Sequence, residues 1–386
     1  MIKIVSVFGS TGSIGVNALN IIRDNSEKFK IEVLAASSNV NLIAKQALEF
    51  LPKFVCLVDE SKVDRLKDLL RNTNIKILSG ISSFHELAKI KVDITVMSIV
   101  GAAAIIPCVN AIKAGNNIAM ANKECLVCAG SLIMDLAKKH NVKIIPMDSE
   151  HTGLYQIFDF KQPKLVKDVV LTASGGPFRN FTQEQMQLVT KEQALKHPNW
   201  SMGAKITVDS ATLVNKCLEV VEACHLFSLD YAQVKVLVHP ESIIHGLVNY
   251  QDGSVLAQLS VADMRVPISY ALFYPDRAVL NEFNNFDLSD IGKLHFYPPD
   301  NKKFRSLYLL QSILRSITQN SALVFNVANE VAVECFLKDQ ISFSQIIQVI
   351  EAMLNKIELK TVNSFEDILE EISIVTEQTR NYIRSI

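Results

Sequence analysis

The chain has 386 residues, 49% of them hydrophobic, with only 14 Gly and 11 Pro and a formal net charge of −1. This exceeds one ordinary core and implies two or three folded domains, without a basic field for nucleic acid or an anionic lipid surface. No apolar run approaches the roughly 18 residues of a membrane span, and seven scattered cysteines suit reduced thiols, so a soluble, cytoplasmic protein is expected.

Residues 2–8 are β-rich and begin almost at once, so no signal or transit peptide is expected. They deliver Gly9-Ser10-Thr11-Gly12-Ser13-Ile14-Gly15, after which 16–23 reads as a helix. Strand, glycine turn and helix in that order make a phosphate cradle, because backbone N–H groups converge at the positive end of the helix. The spacing is G-x-x-G-x-x-G rather than the commoner G-x-G-x-x-G. The second strand, 31–36, ends in Ser37-Ser38-Asn39. An acid near this point would bind a ribose 2′-hydroxyl; none is present, so NADP is allowed, although no Lys or Arg follows before Lys45.

Further strand-like runs at 54–58, 75–78, 94–99, 117–120 and 142–145 alternate with segments that could be helical, such as 64–70. The alternation predicts an N-terminal doubly wound parallel (Rossmann-like) α/β sheet, whose ligands gather at the carboxyl ends of the strands. Asn122-Lys123-Glu124 and Asp148-Ser149-Glu150 both stand at such ends. Read as extended chain, Asp148 and Glu150 point to one side. Two carboxylates that close together repel, and a hard cation relieves the repulsion, Mg²⁺ or Mn²⁺ rather than zinc. A solvated strand end and a surface charge cluster are the plain alternatives. Cys125 and Cys128 form a C-x-x-C, for which buried small hydrophobes are the simpler account.

The pattern changes after Phe160, and a domain boundary is placed near Ser149. Residues 165–173 are strand-like and open into Ser174-Gly175-Gly176-Pro177, whose hydroxyl and amides could hold an anion. His197-Pro198-Asn199-Trp200-Ser201-Met202-Gly203 carries the only Trp, on a loop that could close over a ligand. Residues 205–208 read as a short strand. Ser210 is then placed as the N-cap of a helix running through Asn215, Lys216, Glu219 and Glu222. Asn215 and Glu219 share a face about 6 Å apart along its axis. An ordinary Lys216/Glu219 surface pair is the alternative there. Strands follow at 236–239, 243–250 and 254–260, with His239 and His245 structural. A connector at 277–302 precedes amphipathic helices at 304–317, 322–337, 343–357 and 365–382.

Taken together, Gly9 to Gly15, Ala121-Asn-Lys-Glu124, Asp148-Ser-Glu150, Ala173 to Phe178, His197 to Gly203, Val208-Asp-Ser-Ala-Thr212 and Asn215-Lys216…Glu219 resemble the 1-deoxy-D-xylulose 5-phosphate reductoisomerase family. Asn329 to Val333 extends the likeness into the C-terminal helices. The resemblance implies an NADPH- and Mg²⁺/Mn²⁺-dependent enzyme of the non-mevalonate isoprenoid route, acting on a small sugar phosphate as a homodimer. The divisions expected are an NADPH-binding domain at 1–148, an α+β catalytic domain at 149–276 with a lid at 194–204, the connector, and a helical domain at 303–386.

By matching position, the resemblance assigns the metal to Asp148, Glu150 and Glu219, which with Lys123 form the catalytic set. Ser174, His197, Ser210, Asn215 and Lys216 would bind the substrate phosphate; Ser149 and Lys123 would contact its carbon chain, with Glu150 and Glu219 also facing the substrate. Thr11, Gly12, Ser13, Ile14, Ser37, Ser38, Asn39, Asn122, Glu124 and Gly203 would line the cofactor site, and Trp200 and Met202 would lie on the lid. Relatives often carry a basic residue in place of Ser38, so NADPH preference with reduced discrimination is expected. Two other readings stay open. One is a two-domain NADP-dependent aldehyde or semialdehyde dehydrogenase, which needs a Cys nucleophile with a His base and no metal. The other is a nucleotide-binding sensor without catalysis.

Overall fold

The computed structural model of the chain describes residues 2–198, 200, 203–280, 287–316 and 319–386. Its strands are β1 (Lys3–Phe8), β2 (Phe29–Ala36), β3 (Phe54–Leu57), β4 (Lys76–Ser79), β5 (Ile94–Met97), β6 (Asn117–Met120), β7 (Ile144–Pro146), β8 (Val166–Ala173), β9 (Val234–Val238), β10 (Ile244–Tyr250) and β11 (Val255–Leu259). Contacts divide the chain into two compact units, 1–125 with 133–152 and 263–280, and 126–132 with 153–262 and 281–386.

In the first unit, β1 to β7 form one parallel sheet in the order β4-β3-β2-β1-β5-β6-β7. Its strands are apolar on both faces: Val5, Val7, Phe8, Val33, Leu34, Ala35, Val55 and Val96 have no exposed surface. A continuous apolar run is what a parallel sheet covered by helices on both sides requires. The order reverses between β1 and β5, the switch point at which such sheets bind ligands.

The sequence boundary at 276 does not describe the first unit. Helix Arg265–Phe273 belongs to it, because Ile268, Ala271 and Leu272 are fully buried in the core that holds Val5 and Leu19. The Lys3 ammonium donates to the carbonyls of Leu272, Phe273 and Tyr274 at 3.0–3.1 Å. A cation is favoured at the negative end of a helix, so this late segment is tied back to the first strand.

The second unit contains a four-stranded sheet, β11-β10-β8-β9, in which β8 and β9 are parallel and the other pairs antiparallel. Helices Arg305–Arg315, Ser321–Leu337, Phe343–Lys356 and Phe365–Arg384 complete it. Within the expected connector, Tyr297 pairs with Val238 through two backbone hydrogen bonds of 2.8 and 2.9 Å.

Two local readings are corrected. The β-branched run Lys205-Ile-Thr-Val208 is part of helix Ala204–Ala211, not a strand. Context outweighs propensity there: Lys205 and Asp209 form an i,i+4 pair at 2.7 Å, and Asn329 Nδ2 donates to Asp209 Oδ1 at 2.8 Å. Ser210 therefore lies in the last turn of that helix and is not an N-cap. The chain breaks at Thr212-Leu213, with Leu213 at φ 57, and a new helix runs over Val214–Phe227.

Asp209 is 1% exposed and Asn329 fully buried. Asn329→Ala leaves this carboxylate short of a donor and should cost about 1–3 kcal/mol. That appears as a lower urea midpoint at unchanged m-value, and an unaltered midpoint would contradict the anchor.

Candidate functional site

In the first unit, β1 runs into Gly9, which turns the chain at φ +90. Helix Ser13–Asp24 then begins with Gly12 as an extended N-cap and no side-chain cap. Its first N–H groups have no intrahelical partner. Thr11 and Ile14 are half-buried, whereas Gly12 and Ser13 are exposed. Gly15 lets the helix sit on the turn, since a Cβ there would meet the Gly9 carbonyl oxygen at 2.3 Å. Uncapped amides at a glycine turn fit a dinucleotide pyrophosphate. At the end of β2, Ser37, Ser38 and Asn39 are exposed, and Asn39 Oδ1 accepts from Leu42 N at 3.2 Å to cap helix Val40–Phe50.

Asn122 caps helix Lys123–Lys139, its Oδ1 accepting from Cys125 N at 2.7 Å. Its Nδ2 donates to Ile99 O at 2.8 Å, to Gly101 O at 3.0 Å and to Glu124 Oε2 at 2.9 Å. Asn122 and Glu124 are buried, so this motif braces the turn after β5 at the switch point.

Asp148 follows β7, but Ser149 and Glu150 open helix Ser149–Ile157 and are not extended. Asp148 and Glu150 therefore converge through a helix start and not through strand alternation. Asp148 acts as a cap, with Oδ1 accepting from Glu150 N at 3.2 Å and its carbonyl accepting from Thr152 N at 2.9 Å. The helix start places both carboxylates at its positive end. Lys123 Nζ pairs with Asp148 Oδ2, and Ser149 Oγ donates to Glu150 Oε2. Fully buried His151 sets Nδ1 3.5 Å from Asp148 Oδ1. It was missed because i,i+3 proximity exists only on a helix.

In the second unit, Ser174 follows β8. Its Oγ accepts from Gly176 N at 3.2 Å and lies 3.2 Å from His197 Nε2. Trp200 N donates to His197 Nδ1 at 3.0 Å. Nδ1 is therefore an acceptor, Nε2 carries the proton and donates to Ser174, and the serine hydroxyl retains its own proton to give. Gly176, at φ +67, abuts Ser210: a Cβ would sit 2.7 Å from the Ser210 carbonyl oxygen. Gly203 caps helix Ala204–Ala211. The Trp200 ring stands edge-on to His245 at 6.3 Å, while Asn199, Ser201 and Met202 lie outside the described residues.

The restarted helix Val214–Phe227 carries Asn215, Lys216 and Glu219. Asn215 Nδ2 donates to Glu219 Oε1 at 2.5 Å, matching the i,i+4 expectation, and Lys216 Nζ pairs with Glu219 Oε2 and donates to Thr172 O. This is no surface pair, because Glu219 is 0% and Lys216 3% exposed. The role of the Thr172 carbonyl was not legible, since only the fold brings residue 172 to residue 216.

All seven cysteines are buried and unbridged. Burial pushes the Cys56 and Cys224 thiols up to about 12 and raises Cys217 as well, which argues against a thiolate nucleophile at these positions. Gly15→Ala should lift the helix from the turn and weaken adenine-dinucleotide binding at least about tenfold in a titration, a cost of about 1.4 kcal/mol. Unchanged affinity would contradict the cradle.

Three family models match the chain: 1-deoxy-D-xylulose 5-phosphate reductoisomerase over residues 5–130, its C-terminal domain over 144–227, and a DXP reductoisomerase C-terminal domain over 259–381. A reductoisomerase of Chloroherpeton thalassium is 44% identical over 99% of this chain and 97% of its own length. One from a Thermoanaerobacter species is 45% identical over 96% and 97%. The Zymomonas mobilis enzyme in complex with NADPH superposes with a TM-score of 0.93 at 35% identity, covering 100% of both chains. A DOX-P reductoisomerase crystallised with NADPH, fosmidomycin and magnesium gives 0.93 at 38% identity over 99% and 98%. The chain belongs to the 1-deoxy-D-xylulose 5-phosphate reductoisomerase family.

Proposed function

We propose that the chain rearranges and reduces 1-deoxy-D-xylulose 5-phosphate to 2-C-methyl-D-erythritol 4-phosphate with NADPH and a divalent metal, in isoprenoid precursor synthesis. The observation that carries this reading is likeness over 99% and 96% of the chain to reductoisomerases 44% and 45% identical to it. Asp148, Glu150 and Glu219 would hold Mg²⁺ or Mn²⁺, and a set of carboxylates with no His or Cys suits a hard cation. When bound, the ion supplies Lewis acidity to adjacent carbonyl and hydroxyl oxygens, and NADPH supplies the hydride.

This chain's own groups do the rest. Lys123 and Lys216, which here neutralise Asp148 and Glu219, are the cations available to substrate oxygens. Lys123 and Ser149 contact the carbon chain. Ser174, His197, Ser210, Asn215 and Lys216 bind the phosphate: Ser174 offers its hydroxyl proton, and the break at Thr212-Leu213 leaves Asn215 and Lys216 in a fresh helical first turn whose amides favour an anion. Thr11, Gly12, Ser13, Ile14, Ser37, Ser38, Asn39, Asn122, Glu124 and Gly203 surround NADPH. Trp200 and Met202 belong to a lid that excludes water once phosphate binding closes it.

With this reading the first unit carries the cofactor cradle together with Lys123, Asp148, Ser149 and Glu150, and the second carries the phosphate-binding residues and the lid. We assign a homodimer, supported by the edge strand β11, whose Val255 and Leu256 are 55% and 47% exposed. A cytoplasmic location is supported by the unbridged thiols; no helix among the described residues is long and apolar enough to cross a membrane.

EDTA should abolish NADPH oxidation, and added Mg²⁺ or Mn²⁺ should restore it. Glu150→Gln and Glu219→Gln should each lower kcat about a hundredfold while circular dichroism shows a folded chain. Near-normal turnover by both variants at limiting Mn²⁺ would overturn the metal assignment.

A further inference from the structure

The exposed end of β2 carries no charge in sequence. Ser37, Ser38 and Asn39 supply hydroxyls and a cap, and Lys45 comes only six residues after Asn39, about 9 Å along helix Val40–Phe50. In dinucleotide-binding sheets this strand end faces the adenosine ribose, and a cation there accommodates a 2′-phosphate. The structure brings one from another part of the chain. After β3, Val58 N donates to Ala36 O at 3.0 Å and Asp59 N to Ser37 O at 2.9 Å, so the next turn is fastened along the end of β2. From that turn the Lys62 ammonium donates to Ser38 O at 3.3 Å.

Asp59 aims this lysine. Its carboxylate accepts from Ser61 N at 3.2 Å and from Ser61 Oγ, and pairs with Lys62 Nζ at 3.2 Å. Ser61 first and Lys62 second hold the Asp59 carboxyl below its usual range, so it stays a fixed anion around which the ammonium is placed. Arg65, one turn on, is held elsewhere, donating to Asn41 Oδ1 at 2.8 Å. Lys62 retains 45% side-chain exposure, which leaves room for an incoming anion beside Ser38.

We propose that Lys62 is the residue that recognises the 2′-phosphate of the cofactor, from the turn after β3, in place of a charge at the end of β2. The proposal rests on the NADPH reading above. It makes Lys62 a specificity-determining residue: the serines hydrogen-bond the phosphate, and the ammonium supplies the charge that separates NADPH from NADH.

The test is calorimetric titration of the full-length protein with two probes that differ by the 2′-phosphate alone, 2′,5′-ADP and 5′-AMP. Lys62→Ala should weaken 2′,5′-ADP about tenfold and change 5′-AMP less than about twofold, the loss of one charge-assisted contact. Lys62→Arg should recover most of the affinity, and the Lys62→Ala loss should shrink at high salt. In kinetics, the KM for NADPH should rise while that for NADH holds. Unchanged 2′,5′-ADP affinity in Lys62→Ala, an equal loss for both probes, or a larger loss in Arg65→Ala would each overturn the proposal. A parent protein that binds both probes equally would overturn it while sparing the dinucleotide fold. One that binds neither would take the NADPH reading with it.

Discussion

Glu219 has no exposed surface, and everything around it is arranged to hold a carboxylate out of water. Desolvating such a group costs several kcal/mol unless a cation and hydrogen bonds replace the lost water. Lys216 and Asn215, one helical turn away or less, provide them. The Lys216 ammonium is fixed in turn by the carbonyl of Thr172, on β8. The helix must start anew at Val214 for these residues to occupy its first turns, which makes the break at Leu213 and the Ser306 hydroxyl on the Thr212 carbonyl, at 2.6 Å, part of the same construction. A well-packed apolar trio could serve stability as well.

The first unit repeats the logic. Asp148 is matched by Lys123 and sits with Glu150 at a helix start, near the buried ring of His151. In each unit, an acidic group assigned to the metal is held by a lysine assigned to the substrate. Such a pairing keeps each carboxylate compensated by a neighbouring cation.

Most of the sheet was legible because a parallel strand covered on both faces leaves an apolar signature, unbroken in Phe54–Leu57 and Ile144–Pro146. The glycine turn was legible because its residue order reflects a backbone requirement. What failed was local geometry set by tertiary contacts. Lys205 to Val208 carry β-branched residues, yet the Asp209–Asn329 bond and the Lys205 pair hold them helical. Asp148 to Glu150 were read as extended because a strand precedes them, while the helix that follows captures them. Helix Arg265–Phe273 returns to the first unit through contacts across more than 260 residues, which periodicity along the chain cannot express. The site residues themselves were readable only as a set, since each short motif has an ordinary surface explanation.

The defining property of this chain is a dual activity that both rearranges a carbon skeleton and reduces the product. Its most direct test is to incubate the purified protein with 1-deoxy-D-xylulose 5-phosphate and NADPH, with and without Mn²⁺, following NADPH absorbance and identifying the product by NMR. Metal-dependent oxidation that yields the branched methylerythritol phosphate is the expected result. A folded, NADPH-binding protein that oxidises no cofactor, or that returns an unbranched reduced sugar phosphate, would contradict it.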